Sequence, residues 1–455
     1  MRRALAALVA VTELCASAPA SAASPPHFRD ADGLHVTSVH ALDSRLSALT
    51  VSTAALRGPI DVRVLLPSGY SKHRHKHYPV LYLLDGTSGH AADWTTLGQA
   101  EQTTAGRPLI VVMPNIDLNG DGGGWCTNWY NNGAHGQPEW ETFHIDQLIP
   151  WVDRNLRTLA HRDGRAIAGL SQGGFCSMSY AARHPDMFET ALSFSGAPDI
   201  AYDTEAQLLV TPVINATETF LDHVAANSMF GPRLSEEINW AAHDPTTLAG
   251  NLRGMNLFMY TGNGFPGPLD KGVPNGGSDV IEGGVEILTR LFHQRLEALG
   301  IPSSYDDYGA GTHSWPYWAR DLRQSIGPVM ADFRHPSPAP RAITFTAAEA
   351  SYEAFGWRVT MHRAVEEFST LKDASTTGFT LGGSGSATVV TPASYVPGRR
   401  YTVTVGSQAQ RERADRHGSL TIQVPLGPSD TTQEYPLDGP PLGTTVHTTH
   451  VAIAR

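Results

Sequence analysis

Upstream of residue 335 the chain repeats one alternation, a short apolar run followed by a longer stretch with helical periodicity, and this excludes most architectures. Val62 to Leu66, Val80 to Leu84, Leu109 to Met113, Arg165 to Ala168 and Leu257 to Tyr260 read as strands. Ile145 to Leu156 and Val285 to Leu299 read as helices. Strands that are apolar on both sides of the pleat need cover on both faces, so the expectation is a mostly parallel sheet with helices on each side. Leu46 to Leu66, with Gly58-Pro59 in its middle, reads as an antiparallel hairpin leading into that sheet. The alternation stops at His335-Pro336-Ser337-Pro338-Ala339-Pro340, where the prolines make a stiff linker. Beyond it, Tyr401 to Val405 and Leu420 to Val424 alternate with period two between Gly, Pro and Ser, the pattern of a small β-sandwich. The expected organisation is an α/β domain over 23–334, a linker over 335–341 and a β-sandwich over 342–455.

Residues 1–22 are expected to be a cleavable export signal. Arg2 and Arg3 precede the apolar run Ala4 to Val11, and Ala20-Ser21-Ala22 supplies small residues at the cleavage position. A protein outside the cell follows. The apolar run falls short of the ~20 residues that span a bilayer, and so does every later segment. Removing the signal takes away two positive charges and one negative, moving the formal net charge from −11 to −12. With no Lys/Arg cluster, that balance argues against a nucleic-acid or anionic-membrane partner. Cys126 and Cys176 remain, so at most one internal disulfide can form, and sequence does not say whether they pair.

The strand Arg165 to Ala168 runs into Gly169-Leu170-Ser171-Gln172-Gly173, and helix-like residues Phe175 to Arg183 follow. A serine between glycines on a strand-to-helix turn is a nucleophile elbow: the turn is too tight for side chains two residues either side. The helix N-terminus then faces charge that develops on a substrate oxygen. This is the α/β-hydrolase arrangement, whose triad runs in the order serine, acid, histidine. His313, in Gly311-Thr312-His313-Ser314-Trp315, follows the strand-like Ser304 to Tyr308 and fits the base. The acid must lie between Ser171 and His313 and hold the imidazole in the tautomer that accepts a proton. Asp244, Asp270, Asp279, Glu282 and Glu286 all satisfy that order.

Several blocks resemble the secreted mycolyltransferases of the antigen 85 family and the related esterases grouped with esterase D. They are Leu81-Tyr82-Leu83-Leu84-Asp85-Gly86, Trp140-Glu141-Thr142-Phe143, Gly169-Leu170-Ser171, Gly262-Asn263-Gly264 and Gly311 to Trp318. The resemblance spans about residues 50–332. It implies that Ser171 is the nucleophile and His313 the base, that the acid is Glu282 with Glu286 as runner-up, and that the backbone N–H groups of Gln172 and Thr87 form the oxyanion hole. It also implies that Asp85 and Trp315 line an acceptor site, although an Asp ending a strand is often a turn residue and a Trp often core. Two departures stand out. Thr87-Ser88-Gly89 replaces the stretch where the mycolyltransferases carry a sugar-binding arginine, and the β-rich region after residue 340 has no counterpart in them.

The expected activity is therefore esterase or acyltransferase chemistry through an acyl-enzyme, on small-molecule or lipid esters of short to medium chain, with a sugar or alcohol as a possible acceptor and without metal or cofactor. A serine peptidase on the same fold is the first alternative. A cell-surface binding protein with a decayed hydrolase domain is the second. Asp117 to Gly122 matches the first half of a calcium loop, but Asn128 stands where a bidentate Glu would be needed, so it reads as a Gly/Asp turn. Trp125, Trp129 and Trp140 fit an acyl-chain wall or plain packing equally well. His73, His75 and His77 read as a solvated loop, and Tyr352, Phe355, Trp357 and Tyr395 as either core or ligand platform.

Overall fold

The upstream alternation closes into one nine-stranded sheet: β1 (His35–Ala41), β2 (Leu46–Ser52), β3 (Ile60–Leu65), β4 (Val80–Leu84), β5 (Ile110–Pro114), β6 (Arg165–Leu170), β7 (Thr190–Phe194), β8 (Asn256–Thr261) and β9 (Ser304–Asp307). The spatial order is β1-β2-β3-β5-β4-β6-β7-β8-β9. The β1–β2, β2–β3 and β3–β5 pairs are antiparallel, and the other five are parallel. This is a computed structural model, and it describes residues 26–118, 120–433 and 445–455. The expected export signal lies outside the described residues.

Strand β4 shows why a strand covered on both faces can be apolar throughout. Val80, Tyr82 and Leu84 enter one hydrophobic cluster and Leu81 and Leu83 enter the other, so each face of the pleat is buried. Strands β1 and β7 have no counterpart among the strands expected from the sequence. β7 is completely buried yet carries Thr190 and Ser193, and β1 is an edge strand of mostly part-exposed polar residues. The expected helix from Val285 in fact spans Gly276–Ala298. Gly276, Gly277, Gly283 and Gly284 each cost ~1 kcal/mol of helix propensity. Glu282, Val285 and Leu288 nevertheless lie on its buried face, and packing overrides the propensity.

Beyond the helix Trp315–Asp332, residues 336–340 carry neither helix nor strand, and among the described residues ten strands between Ile343 and Ala454 form a six-stranded and a four-stranded antiparallel sheet. The chain thus has an α/β-hydrolase fold with a mostly parallel sheet, followed by an all-β sandwich. Tyr352, Trp357 and Tyr395 belong to the sandwich core, with Phe355 packed against it. Trp125, Trp129 and Trp140 are likewise buried in the core of the α/β domain.

The sandwich docks on the C-terminal end of the helix Gln172–Arg183. Asn251 joins the α/β region to the β-sandwich, donating to Ala182 O (3.0 Å) and Thr346 O (2.8 Å) and accepting from Thr346 N (2.9 Å). Arg183 forks onto Glu141 (2.8 and 3.0 Å) and pairs with Glu349 (2.5 Å). The Arg183 guanidinium and His184 hold the Glu141 carboxyl well below its ordinary range against the opposing effect of burial. In the segment expected to be a linker, Ser337 N donates to Glu189 Oε1 (2.6 Å).

Candidate active site

Strand β6 ends at Leu170, and the helix begins at Gln172, leaving Ser171 between them at φ 52° and ψ −122°. Such a conformation costs a non-glycine residue ~1–3 kcal/mol and persists only where surroundings over-determine it. They do so here. A Cβ on Gly169 would strike the main chain of Gly173, and one on Gly173 would strike the Asp85 carbonyl. Ser171 N donates to Phe194 O (2.9 Å), and Ser171 O accepts from Gly174 N (2.8 Å).

Phe194 ends β7, and the next residue, Ser195, reaches Glu282. Ser195 Oγ donates to Glu282 Oε1 at 2.8 Å. The same oxygen accepts from Gly262 N (2.7 Å) and Thr261 Oγ1 (3.2 Å). The other oxygen, Oε2, faces His313 Nδ1 at 2.7 Å. Glu282 is fully buried, so its carboxylate depends entirely on these partners. His313 is held further by its main chain, with N donating to Ser278 O (3.3 Å) and O accepting from Ser278 Oγ (2.8 Å). The Trp318 ring lies perpendicular to the imidazole, with 5.0 Å between ring centres. Ser171, Glu282 and His313 lie near one another.

The other carboxylates that satisfied the chain order point elsewhere. Glu286 pairs with Arg290 one helical turn on (3.3 Å), and Asp244 accepts from Ile200 N (2.7 Å) and Thr247. Asp270 accepts from Thr312 Oγ1 and Tyr317 Oη, both at 2.8 Å, fastening the loop that carries His313. Asp279 accepts from Asn275 N (3.0 Å) at the start of its helix. Ser195, Thr261 and Trp318 were not identified from the sequence. The one signal for Ser195 would have been strand β7, which its polar residues conceal.

On the opposite side of the elbow, Thr87 and Gln172 meet. Gln172 Nε2 donates to Thr87 Oγ1 (3.0 Å) and to Gly122 O (2.9 Å), while Oε1 accepts from Trp125 N (3.2 Å). The backbone N–H groups of Thr87 and Gln172 donate to no other backbone group among the described residues. Cys126 and Cys176 form a disulfide that ties the 122–126 loop to the helix after Ser171.

Asp85, expected to line an acceptor site, is fully buried just beyond the end of β4. Burial, reinforced by the nearby carboxylates of Asp117 and Asp93, holds its pKa well above the ordinary value. Trp315 is half-buried, edge-on to Trp94 (5.3 Å) and Trp318 (5.2 Å), and retains some exposure beside His313. In the loop once compared with a calcium site, Asp117 Oδ1 accepts from Gly120 N, and Asp121 Oδ1 accepts from Leu118 N and Gly123 N. These carboxylates close the turn themselves; Asn119 lies outside the described residues. Desolvation raises Asp117 and its neighbour Asp222 each to about 7. Among the described residues no group of three or more His, Cys, Asp or Glu is arranged to hold a metal.

Residues 53–327 match the family model for Esterase, a span that takes in Ser171, Glu282 and His313 together. The chain belongs to the esterase family. Esterase Rv1288 of Mycobacterium tuberculosis is 35% identical over 288 residues, covering 62% of this chain and 59% of that protein. The chain therefore spans somewhat over half the length of that relative. The MPT51 antigen of Mycobacterium leprae is 31% identical over 262 residues, 56% of this chain and 79% of the antigen. The diacylglycerol acyltransferase/mycolyltransferase Ag85B of the same organism is 31% identical over 256 residues, 54% and 73%. The crystal structure of Mycobacterium tuberculosis MPT51 shares the fold, with a TM-score of 0.50, 24% identity, and coverage of 63% of this chain and 98% of that one. The likeness to the antigen 85 and esterase D group thus holds for the matched residues. The β-sandwich lies outside the matched residues.

Proposed function

We propose that the protein is an exported serine esterase or acyltransferase in which Ser171 attacks the carbonyl of a carboxylic ester. His313 Nε2 takes the serine proton, and Glu282 holds the imidazole with its Nδ1 proton inward. The N–H groups of Thr87 and Gln172 receive the oxyanion. Collapse of the tetrahedral species expels the alcohol, protonated by His313, and leaves an acyl-enzyme that water or a second alcohol resolves. The observation that carries this reading is the 2.7 Å contact between His313 Nδ1 and a fully buried Glu282. A carboxylate that burial forbids from solvating itself has one profitable use beside an imidazole, which is to fix its tautomer and stabilise its charged form.

Substrates are short- to medium-chain acyl esters, and a sugar or alcohol acceptor competes with water. The relatives named for acyltransferase and esterase activity support both outcomes of one acyl-enzyme. The test is turnover of nitrophenyl esters of graded chain length by the wild type and Ser171→Ala, with and without trehalose or glycerol. Wild-type turnover that peaks at short or medium chains and vanishes in the variant is expected. Equal rates in the two proteins would reject the assignment.

A further inference from the structure

The side-chain amide of Gln172 can be oriented without ambiguity. Its Oε1 accepts from a backbone N–H, that of Trp125, and its Nε2 donates to a backbone carbonyl, that of Gly122. Exchanging oxygen and nitrogen would break both bonds. The remaining Nε2 hydrogen is the one that meets Thr87 Oγ1 at 3.0 Å, so the threonine oxygen is the acceptor. Its own hydroxyl hydrogen must turn away from Gln172, and among the described residues it meets no acceptor.

Where that hydrogen can turn is limited by the position of the residue. Thr87 is exposed, and it follows Gly86, where a Cβ would stand 3.2 Å from the Cβ of Ser171. The turn that carries Thr87 is thus pressed against the side chain of the nucleophile. The geometry points to the Thr87 hydroxyl as a third hydrogen-bond donor to the substrate oxyanion, with Gln172 as the residue that orients it.

This assignment rests on Ser171 being the nucleophile. A free hydroxyl rotor spends its donor on water and must reorganise when charge develops. One whose lone pair is already occupied by an amide is set in advance, and a preset donor stabilises a transition-state oxyanion most. Gln172 would then serve twice: its main-chain N–H faces the oxyanion directly, and its side chain aims a second residue at the same atom.

The test uses Thr87→Val, Thr87→Ser, Gln172→Leu and the Val/Leu double variant, all of which keep both backbone N–H groups. Thr87→Val is expected to lower kcat by ~10²-fold with KM little changed. Its affinity for a boronic acid, which mimics the tetrahedral species, should fall in parallel, and Thr87→Ser should recover most of both. The double variant should be little worse than Thr87→Val, because Gln172 acts through the hydroxyl. Thermal melting shows each variant folded. A Thr87→Val enzyme with wild-type kcat and boronate affinity overturns the inference, as do losses at the two positions that simply multiply. If Ser171→Ala is inactive while Thr87→Val is unaffected, the third donor is refuted and the esterase reading stands. Full activity in Ser171→Ala would refute the esterase reading itself.

Discussion

Replacing Glu282 by Gln should silence the enzyme while leaving it folded. Oε1 accepts three hydrogen bonds, from Gly262 N, Ser195 Oγ and Thr261 Oγ1, and an amide NH2 there would oppose a main-chain donor that cannot rotate away. The amide oxygen therefore takes that place, and the NH2 group falls at Oε2, facing His313 Nδ1 across 2.7 Å. A donor in that position requires Nδ1 to be the unprotonated nitrogen. The imidazole proton then moves to Nε2, the atom that must accept from Ser171. An analogous acid-to-amide change in serine proteases costs ~10⁴ in kcat through the same wrong tautomer. At ~1.36 kcal/mol per factor of ten this amounts to roughly 5.4 kcal/mol of transition-state stabilisation. Because the three bonds to Oε1 survive, the fold should lose only about 1 kcal/mol, the worth of one ordinary hydrogen bond. The assay is kcat on nitrophenyl butyrate beside a thermal melt, with Glu286→Gln as control, since Glu286 pairs with Arg290 and not with His313. A Glu282→Gln enzyme within tenfold of wild type, or a Glu286→Gln enzyme equally impaired, would refute the reasoning.

Replacing Cys126 and Cys176 by Ser opens a loop of sequence separation 50 and should lower stability by ~4 kcal/mol on chain-entropy grounds, measured by urea unfolding; an unchanged midpoint would contradict it. Asp222, raised to about 7, keeps its proton between pH ~4 and ~7 when folded and loses it when unfolded, so stability falls as pH rises through that window. Asp222→Asn, which still offers an oxygen to Gly122 N, should flatten that part of the Tm–pH curve, and parallel curves for the two proteins would count against it. Arg183→Met strands the buried Glu141 and should cost ~3–5 kcal/mol, seen as an early transition in calorimetry; a single wild-type-like transition would argue the pair is dispensable.

The central sheet was legible because burial on both faces requires apolar residues at every position, as in Val80–Leu84. Ser171 was legible for a related reason: close packing at the elbow demands glycines at fixed offsets. What stayed hidden lies where tertiary context overrides local preference. Strand β7 accommodates Thr190 because its hydroxyl bonds Asp332 Oδ2 (2.9 Å), so a buried strand reads as polar. The glycines at 276, 277, 283 and 284 disguise the first turns of the helix that delivers Glu282, and position in the chain could not choose among five carboxylates. Ser195 and the side chain of Gln172 acquire their roles only through partners far away in sequence. The disulfide is of the same kind, joining a loop to a helix brought together only by the folded sheet.

At Gly169 and Gly173 an added methyl group collides with main chain and not with a side chain that could swing aside. The floor of the site is consequently closed to variation. Any shift in which esters are accepted has to be carried by other segments, such as residues 87–90 and 122–125, which bond the Gln172 side chain beside the elbow. A library restricted to those segments would alter selectivity while the reacting hydroxyl stays in place, whereas one spread over 169–174 would return mainly unfolded chains.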